Sequence, residues 1–159
     1  MTDREMDQTD REIIHCLQGD ARNVTTAEIG AELDISGSTV ANRISQLEES
    51  GIIAGYAPII DYERAGYTQH HLFVGTVAGD DADEIIASIP DLTGVVNVTT
   101  LLTDERNVVV EVIAEEASEV EEVANELSEL GVTIVRTDVV TNEVARPFDS
   151  YGIRKDSSG

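Results

Sequence analysis

The segment TTAEIGAELDISGSTVANRISQLEESG, residues 25–51, predicts two short helices joined by a tight turn. Thr25 and Glu28 have the spacing of a capping box, in which each side chain satisfies a backbone N–H at a helix start. Ser36 is placed to cap the second helix, and Gly51 to end it in left-handed conformation. Apolar residues at helical spacing give each helix a buried side: Ile29, Leu33, Val40, Ile44 and Leu47. This arrangement is typical of a helix-turn-helix.

The opposite face of the second helix is polar without being acidic. Its candidate contact residues are Ser38, Thr39, Asn42, Arg43 and Gln46. These side chains can approach a base edge or a phosphate when a helix enters a major groove. An ordinary helix pair with a solvated polar face is the alternative. The short turn, the acid-free face and a preceding helix favour the DNA-binding interpretation.

The preceding helix is predicted over residues 7–18, with Asp7 as its cap and Gly19 at its end. It would pack on the helix pair and complete a three-helix unit. Gly30 lies inside a predicted helix, where glycine costs about 1 kcal/mol relative to alanine. A close helix crossing is the expected reason for this glycine.

The charge of the chain is extreme. Its 159 residues include 10 basic and 32 acidic residues, for a net charge of −22, and Lys155 is the single lysine. The composition resembles adaptation to molar salt, as in halophilic archaea, where a Debye length of about 3 Å screens self-repulsion. An acidic chain is ordinarily a poor partner for DNA. Concentrated salt weakens the counterion-release term in any case, so binding would depend on direct hydrogen bonds and shape.

Three features of the sequence bear on the cellular compartment of the protein. Cys16 is the single cysteine, which excludes an intrachain disulfide, and its apolar surroundings favour a buried thiol. The polar N-terminus lacks the pattern of a signal peptide, and no apolar run approaches the roughly 18 residues of a transmembrane helix. We therefore expect a cytoplasmic protein.

A second pattern, βαββαβ, begins at His70 and predicts the ferredoxin-like arrangement. Strands are expected at 70–77, 94–102, 107–114 and 132–142, and helices at 81–89 and 118–130. Both helices would cover one face of the sheet. The other face would present Val and Phe side chains and so call for a partner, most simply a second copy of the chain.

The fold class is therefore α+β, a winged-type helix-turn-helix domain followed by a ferredoxin-like sensing domain. The predicted domains are residues 1–55 for DNA binding, 56–69 for a linker and hinge, 70–145 for sensing and oligomerisation, and 146–159 for a polar, mobile tail. The segment 52–62 is β-like, but Gly55 and Pro58 confine it to an edge or linking strand.

The chain resembles the Lrp/AsnC, or feast/famine, family of transcription regulators, in a haloarchaeal form. The matching motifs are Met6-Asp7-Gln8-Thr9-Asp10, Gly19-Asp20-Ala21-Arg22, Ile35-Ser36-Gly37-Ser38-Thr39-Val40, Arg43-Ile44 and Leu47-Glu48-Glu49-Ser50-Gly51-Ile52-Ile53. The resemblance implies a dimer, often assembling into tetramers or octamers, that binds pseudo-palindromic double-stranded DNA. It places the five residues above in the groove, with Arg22, Thr25 and Thr26 near the backbone. Arg22 has a structural ion pair as its alternative role.

Members of this family commonly sense an amino acid near the turn between the second and third strands, where the family often has Gly-Asp-Tyr-Asp. Here the turn is Asp104-Glu105-Arg106-Asn107, so the pattern is lost. Asp104, Arg106 and Asn107 remain the candidate effector residues, with a solvated turn as the alternative.

Other chemistries have little support. His70 and His71 are adjacent on a strand and point to opposite faces, and no cysteine or carboxylate cluster accompanies them in the sequence. No nucleophile elbow, phosphate loop or zinc spacing occurs. We therefore predict no catalytic residue, metal or cofactor. The alternative function is a subunit that decarboxylates sirohaem-type tetrapyrroles, since such proteins share this architecture.

Overall fold

The computed structural model describes residues 5–103 and 106–144, together with residues 146 and 148. Two compact units divide at Pro58, and the second spans Ile59–Val144. Asp104 and the tail beyond Phe148, for which mobility is expected, lie outside the described residues. Among the described residues, no helix is long and apolar enough to cross a lipid bilayer.

The first unit contains three helices: α1 (Gln8–Asp20), α2 (Thr26–Leu33) and α3 (Gly37–Glu49). Asp7, Thr25 and Ser36 cap them as predicted, each accepting a hydrogen bond from a backbone N–H one turn ahead. The predicted end of α1 at Gly19 is wrong, because the helix continues to Asp20. Five fully or nearly fully buried side chains form the core: Ile13, Ile14, Ile29, Val40 and Leu47.

Gly30 holds α2 against the start of α3. A Cβ added at Gly30 would lie 2.6 Å from the Ile35 carbonyl oxygen and 3.1 Å from the Gly37 nitrogen. The same turn is closed by the Ile35 N–H, which donates to the Gly30 carbonyl at 2.9 Å. The close crossing expected from the sequence is therefore present, and it sets the angle at which α3 leaves the turn.

We expect Gly30→Ala to lower the free energy of unfolding by about 1–3 kcal/mol, because overpacking against backbone exceeds the gain in helix propensity. Gly19→Ala is the matched control, since nothing lies within 4 Å of its added Cβ. That substitution should be neutral or stabilise α1 by up to about 1 kcal/mol. Urea denaturation followed by circular dichroism measures both. Equal effects at the two positions would contradict the packing explanation.

The strand predicted over residues 52–62 is absent. Residues 51–68, all of which the structure describes, contain bends and turns but no strand. Tyr56, Ile59 and Ile60 are exposed. A short apolar run becomes a strand only when another strand supplies its hydrogen bonds, and none does so here.

The elements of the second unit are β1 (Gln69–Thr76), α4 (Ala82–Ser88), β2 (Val95–Thr100), β3 (Val108–Ala114), α5 (Ala117–Leu130) and β4 (Thr133–Val139). The strands form an antiparallel sheet in the order β2-β3-β1-β4, which confirms the predicted fold class. Pro90 does not stop α4 cleanly, since a 3₁₀ turn continues through Ile89–Asp91. Gly131 ends α5 with a φ of 108°, which agrees with the helix predicted to end at residue 130.

The two faces of the sheet differ. The helix-covered face carries Phe73 and alternate valines of β3, packed on α5. Phe73 was expected on the open face, so that expectation is wrong. We call the other side the outer face, and its apolar members are Leu72, Val74, Val109 and Ile113.

Candidate nucleic-acid interface

The exposed face of α3 carries neutral hydrogen-bonding side chains over almost three turns. Ser38, Thr39, Asn42 and Gln46 are all exposed, as the sequence predicts. Ser45, also exposed, belongs to the same face but was missed. Its spacing in the sequence could have indicated this, because residues three, four and seven apart share a helix face and Ser45 follows Ser38 by seven.

The first turn of α3 is ordered by hydroxyl groups. The Thr39 N–H donates to Ser36 Oγ at 3.1 Å, and the Thr39 hydroxyl lies 2.7 Å from the same oxygen. Ser38 Oγ lies 3.0 Å from Ser36 Oγ. Hydroxyls at the start of a helix can donate to or accept from a nucleic acid, while the backbone N–H groups there favour anions. This end of α3 is therefore suited to meet a phosphate or a base edge.

Arg43 does not extend from that face, which corrects its predicted orientation. Its Nη1 donates to Asp7 Oδ2 at 2.7 Å and to Asp10 Oδ1 at 3.0 Å. Asp10 is buried, with 1% of its surface exposed. The hydrogen bonds that Arg43 donates, first to Asp7 and then to Asp10, raise the pKa of Arg43 above its ordinary value. The ion pair joins α3 to the start of α1, so Arg43 helps to hold α3 in position.

The start of α2 offers less to a DNA backbone than predicted. The Thr25 hydroxyl donates to Glu28 Oε2 at 2.7 Å, and the Thr25 N–H donates to the same oxygen at 2.8 Å. The hydrogen bond from the Thr25 side chain is the main reason that the pKa of Glu28 lies below its usual value. Thr25 is thus engaged by an ionised carboxylate. Thr26 is half-buried, and Arg22 is exposed just after α1.

Cations are scarce around this surface. Among residues 5–58 the sequence has three, Arg11, Arg22 and Arg43. Arg43 is already neutralised by two carboxylates. The arrangement therefore favours recognition through neutral hydrogen bonds over attraction to the phosphate backbone.

Of the candidate effector residues, the structure describes Arg106 and Asn107, and Asn107 is engaged by the backbone. The Asn107 amide donates to the Val77 carbonyl at 2.7 Å, and its side-chain oxygen accepts from the Val77 N–H at 2.9 Å. Both groups are therefore occupied in joining β3 to the end of β1, which corrects the predicted role of Asn107. Arg106 is exposed, with a φ of 55°, and Asp104 lies outside the described residues.

Comparisons with known proteins agree with this architecture. A family model described as winged helix-turn-helix DNA-binding matches residues 6–54. The transcriptional regulator Ptr1 of Methanocaldococcus jannaschii is 42% identical over 62 residues, which cover 39% of this chain and 41% of that protein. The matches to the first curated relatives span about two fifths of their length.

Solved structures extend the likeness to both units. LrpC of Bacillus subtilis has a TM-score of 0.74 at 25% identity, covering 89% of this chain and 99% of that one. A Neisseria meningitidis transcriptional regulator, in complex with L-Met, has a TM-score of 0.74 at 22% identity, covering 89% and 94%. Ptr1 and LrpB of Bacillus subtilis, two of these relatives, are both described as HTH-type transcriptional regulators. The chain therefore combines a segment that matches a winged helix-turn-helix model with a βαββαβ unit, and this architecture is similar to that of LrpC over both units.

Proposed function

We propose that this chain is a sequence-specific DNA-binding transcription regulator that acts as a dimer on pseudo-palindromic promoter sites in the cytoplasm. The observation that carries the proposal is the neutral face of α3 on a chain of net charge −22. A solvated helix face on such a protein has no reason to exclude acids for almost three turns. A helix face that lies in a major groove must exclude acidic side chains, because phosphates line both sides of the groove.

Individual roles follow from side-chain chemistry. Asn42 and Gln46 suit adenine, because an amide can pair with both N6 and N7. Ser38, Thr39 and Ser45 are short donors and acceptors that contact a base edge or phosphate. Arg22 and Thr26 approach the backbone, and Arg43 holds α3 in place from behind.

Genome-wide occupancy in the native host tests the proposal directly. We expect discrete sites containing two half-sites whose centres lie about one helical turn, roughly 10 base pairs, apart. Footprinting of purified protein on one such site should protect both half-sites. A chromosome without discrete occupied sites would overturn the proposal.

The scarcity of cations predicts a weak salt dependence. Each phosphate neutralised by Lys or Arg contributes about −0.9 to the slope of log K against log[salt]. If the cations of residues 1–58 other than Arg43, which are Arg4, Arg11 and Arg22, are the ones that neutralise phosphates, a dimer should show a slope no steeper than about −5. Arg22→Ala should reduce the slope by about 1 for each phosphate that Arg22 neutralises in the parent, measured by fluorescence anisotropy across a KCl series. A much steeper wild-type slope would show that other cations neutralise the phosphates.

The outer face supports the dimer. Leu72 and Val109 on this face are partly exposed, whereas Val74 and Ile113 are already buried within one chain. A second copy of the same face would cover Leu72 and Val109 in a two-fold arrangement. Two recognition helices on one axis then read two half-sites. Sedimentation equilibrium should give twice the chain mass, and higher assemblies would appear as tetramers or octamers.

Concentrated salt is the proposed working medium, of the haloarchaeal kind. The support is the charge imbalance of 10 basic to 32 acidic residues, whose repulsion salt screens. The thermal midpoint of unfolding should rise by several degrees between about 0.1 M and 2 M KCl. A midpoint that falls or stays constant would contradict this proposal.

A small-molecule effector forms the last part of the proposed function. The Neisseria relative is described as a complex with L-Met, which supports an amino acid here. Since Asn107 is occupied by Val77, the ligand would contact other residues near this turn, such as Arg106. A thermal-shift screen of the twenty amino acids tests this. If none of them shifts the midpoint of unfolding, the proposal of an amino-acid effector is wrong.

A further inference from the structure

Three potential metal ligands meet on the outer face of the sheet. They are His70 on β1, Glu111 on β3 and Glu143 in the segment after β4, and one ligand atom from each lies within 4.8 Å of the other two. His70 Nε2 and Glu111 Oε1 are 2.7 Å apart. The sequence analysis expected no carboxylate cluster beside the histidines, and that expectation is wrong. His71 points to the other side of the sheet, as predicted, so His70 is the imidazole of this cluster.

Strand register explains the convergence. His70 is opposite Ile113 and Leu72 is opposite Glu111, so His70 and Glu111 are diagonal neighbours on one face. The Val140 N–H donates to the His70 carbonyl at 2.8 Å, which holds the chain after β4 alongside β1. Glu143 follows three residues later. Strand pairing therefore fixes His70 and Glu111, and the hydrogen bond of Val140 keeps the segment that carries Glu143 beside β1.

We propose that His70, Glu111 and Glu143 bind a divalent transition-metal ion of the Zn²⁺ type. Imidazole and carboxylate together are a common donor set for Zn²⁺, whereas Mg²⁺ and Ca²⁺ prefer oxygen ligands alone. Two carboxylates balance the charge of the ion. Three protein ligands leave the fourth tetrahedral position for water or another molecule.

Metal binding needs the distances between ligand atoms, now within 4.8 Å, to change by up to about 1.4 Å. Zinc bonds of about 2.0–2.1 Å at tetrahedral angles place ligand atoms roughly 3.4 Å apart. His70 and Glu111 would separate slightly as the ion replaces the hydrogen that joins them. Both side chains are mostly buried, with exposed fractions of 18% and 17%. Glu143 is exposed, which provides an entry path and a ligand free to close over the ion.

Calorimetric titration of the metal-free full chain with Zn²⁺, in KCl with millimolar Mg²⁺ present, tests the site. We expect one Zn²⁺ per chain. His70→Gln and Glu143→Gln should each weaken binding at least tenfold. His15→Gln, on α1, and Glu126→Gln, on the exposed side of α5, are the matched controls and should bind like the parent. Co²⁺ should bind at the same stoichiometry with the visible absorption of a tetrahedral nitrogen-and-oxygen site.

Several outcomes would overturn the proposal. One is the absence of saturable Zn²⁺ binding above the Mg²⁺ background. Another is equal affinity in the parent and in Glu143→Gln, which removes an exposed side chain and should leave the fold intact whatever happens in His70→Gln. Full competition by Mg²⁺ would likewise assign the binding to the general negative charge of the chain. Far-UV circular dichroism confirms that each variant is folded.

Discussion

Arg43→Ala should lower the free energy of unfolding of the N-terminal unit by about 2–4 kcal/mol. The substitution leaves the buried carboxylate of Asp10 without the guanidinium that now lies 3.0 Å away. Removing one partner of a fully buried pair costs roughly 3–5 kcal/mol, and the effect is smaller here because 28% of the Arg43 side chain is exposed. Since small domains are stable by only about 5–15 kcal/mol, the loss is large. Urea denaturation in molar KCl measures it.

Arg22→Ala is the matched control, because Arg22 is exposed and should change the free energy of unfolding by no more than about 0.5 kcal/mol. The two substitutions should therefore change different quantities. Arg43→Ala should mainly lower the free energy of unfolding, and Arg22→Ala should mainly change the DNA affinity and its dependence on salt. If Arg43→Ala is as stable as the parent yet binds its site more weakly, then Arg43 contacts DNA and its ion pair with α1 has no structural role.

Local signals in the sequence were sufficient to predict the helices of the first unit. Asp7, Thr25 and Ser36 cap them because a side-chain oxygen reaches an N–H only three residues away. The left-handed residue after α3 is likewise a local feature, since Gly51 has a φ of 73°. Such contacts depend on spacing along the chain, and spacing is visible before the fold is known.

Long-range contacts explain why the predicted roles of Arg43 and Asn107 were wrong. Arg43 meets carboxylates 36 and 33 residues away, and Asn107 meets a backbone 30 residues away. Both residues look solvent-facing when only their own element is considered. Their side chains are long or polar enough to find a partner on another element, and no local pattern indicates which partner.

In the sheet, too, some features could be predicted from local sequence and others depend on long-range contacts. Its strand order follows from the βαββαβ pattern, but the phase of β1 does not, because residues 72–74 are continuously apolar. A run without alternation does not distinguish the helix-covered face from the outer face, so Phe73 was placed on the wrong side. His70 and Glu111, 41 residues apart, are diagonal neighbours only once the register of β1 and β3 is known.

Asn42→Asp should weaken specific DNA binding by at least about 30-fold while leaving the fold intact. The change keeps the size of an exposed side chain at the centre of the neutral face but replaces a donor with a negative charge. Removing a bidentate hydrogen bond to a base costs about 1–3 kcal/mol, and repulsion from flanking phosphates adds to it. Because a dimer carries two such helices, the cost applies twice, which corresponds to a fall in affinity of at least about 30-fold by the usual conversion.

Asn125→Asp provides an isosteric control, since Asn125 is also exposed and helical but lies on α5 in the other unit. Both variants change the net charge of the chain by the same amount, so a general effect of charge would weaken them equally. Anisotropy titrations on an occupied promoter site should instead show parent-like affinity for Asn125→Asp and a large loss for Asn42→Asp. Equal affinities of the two variants would mean that the acid-free face of α3 is not the surface that meets DNA.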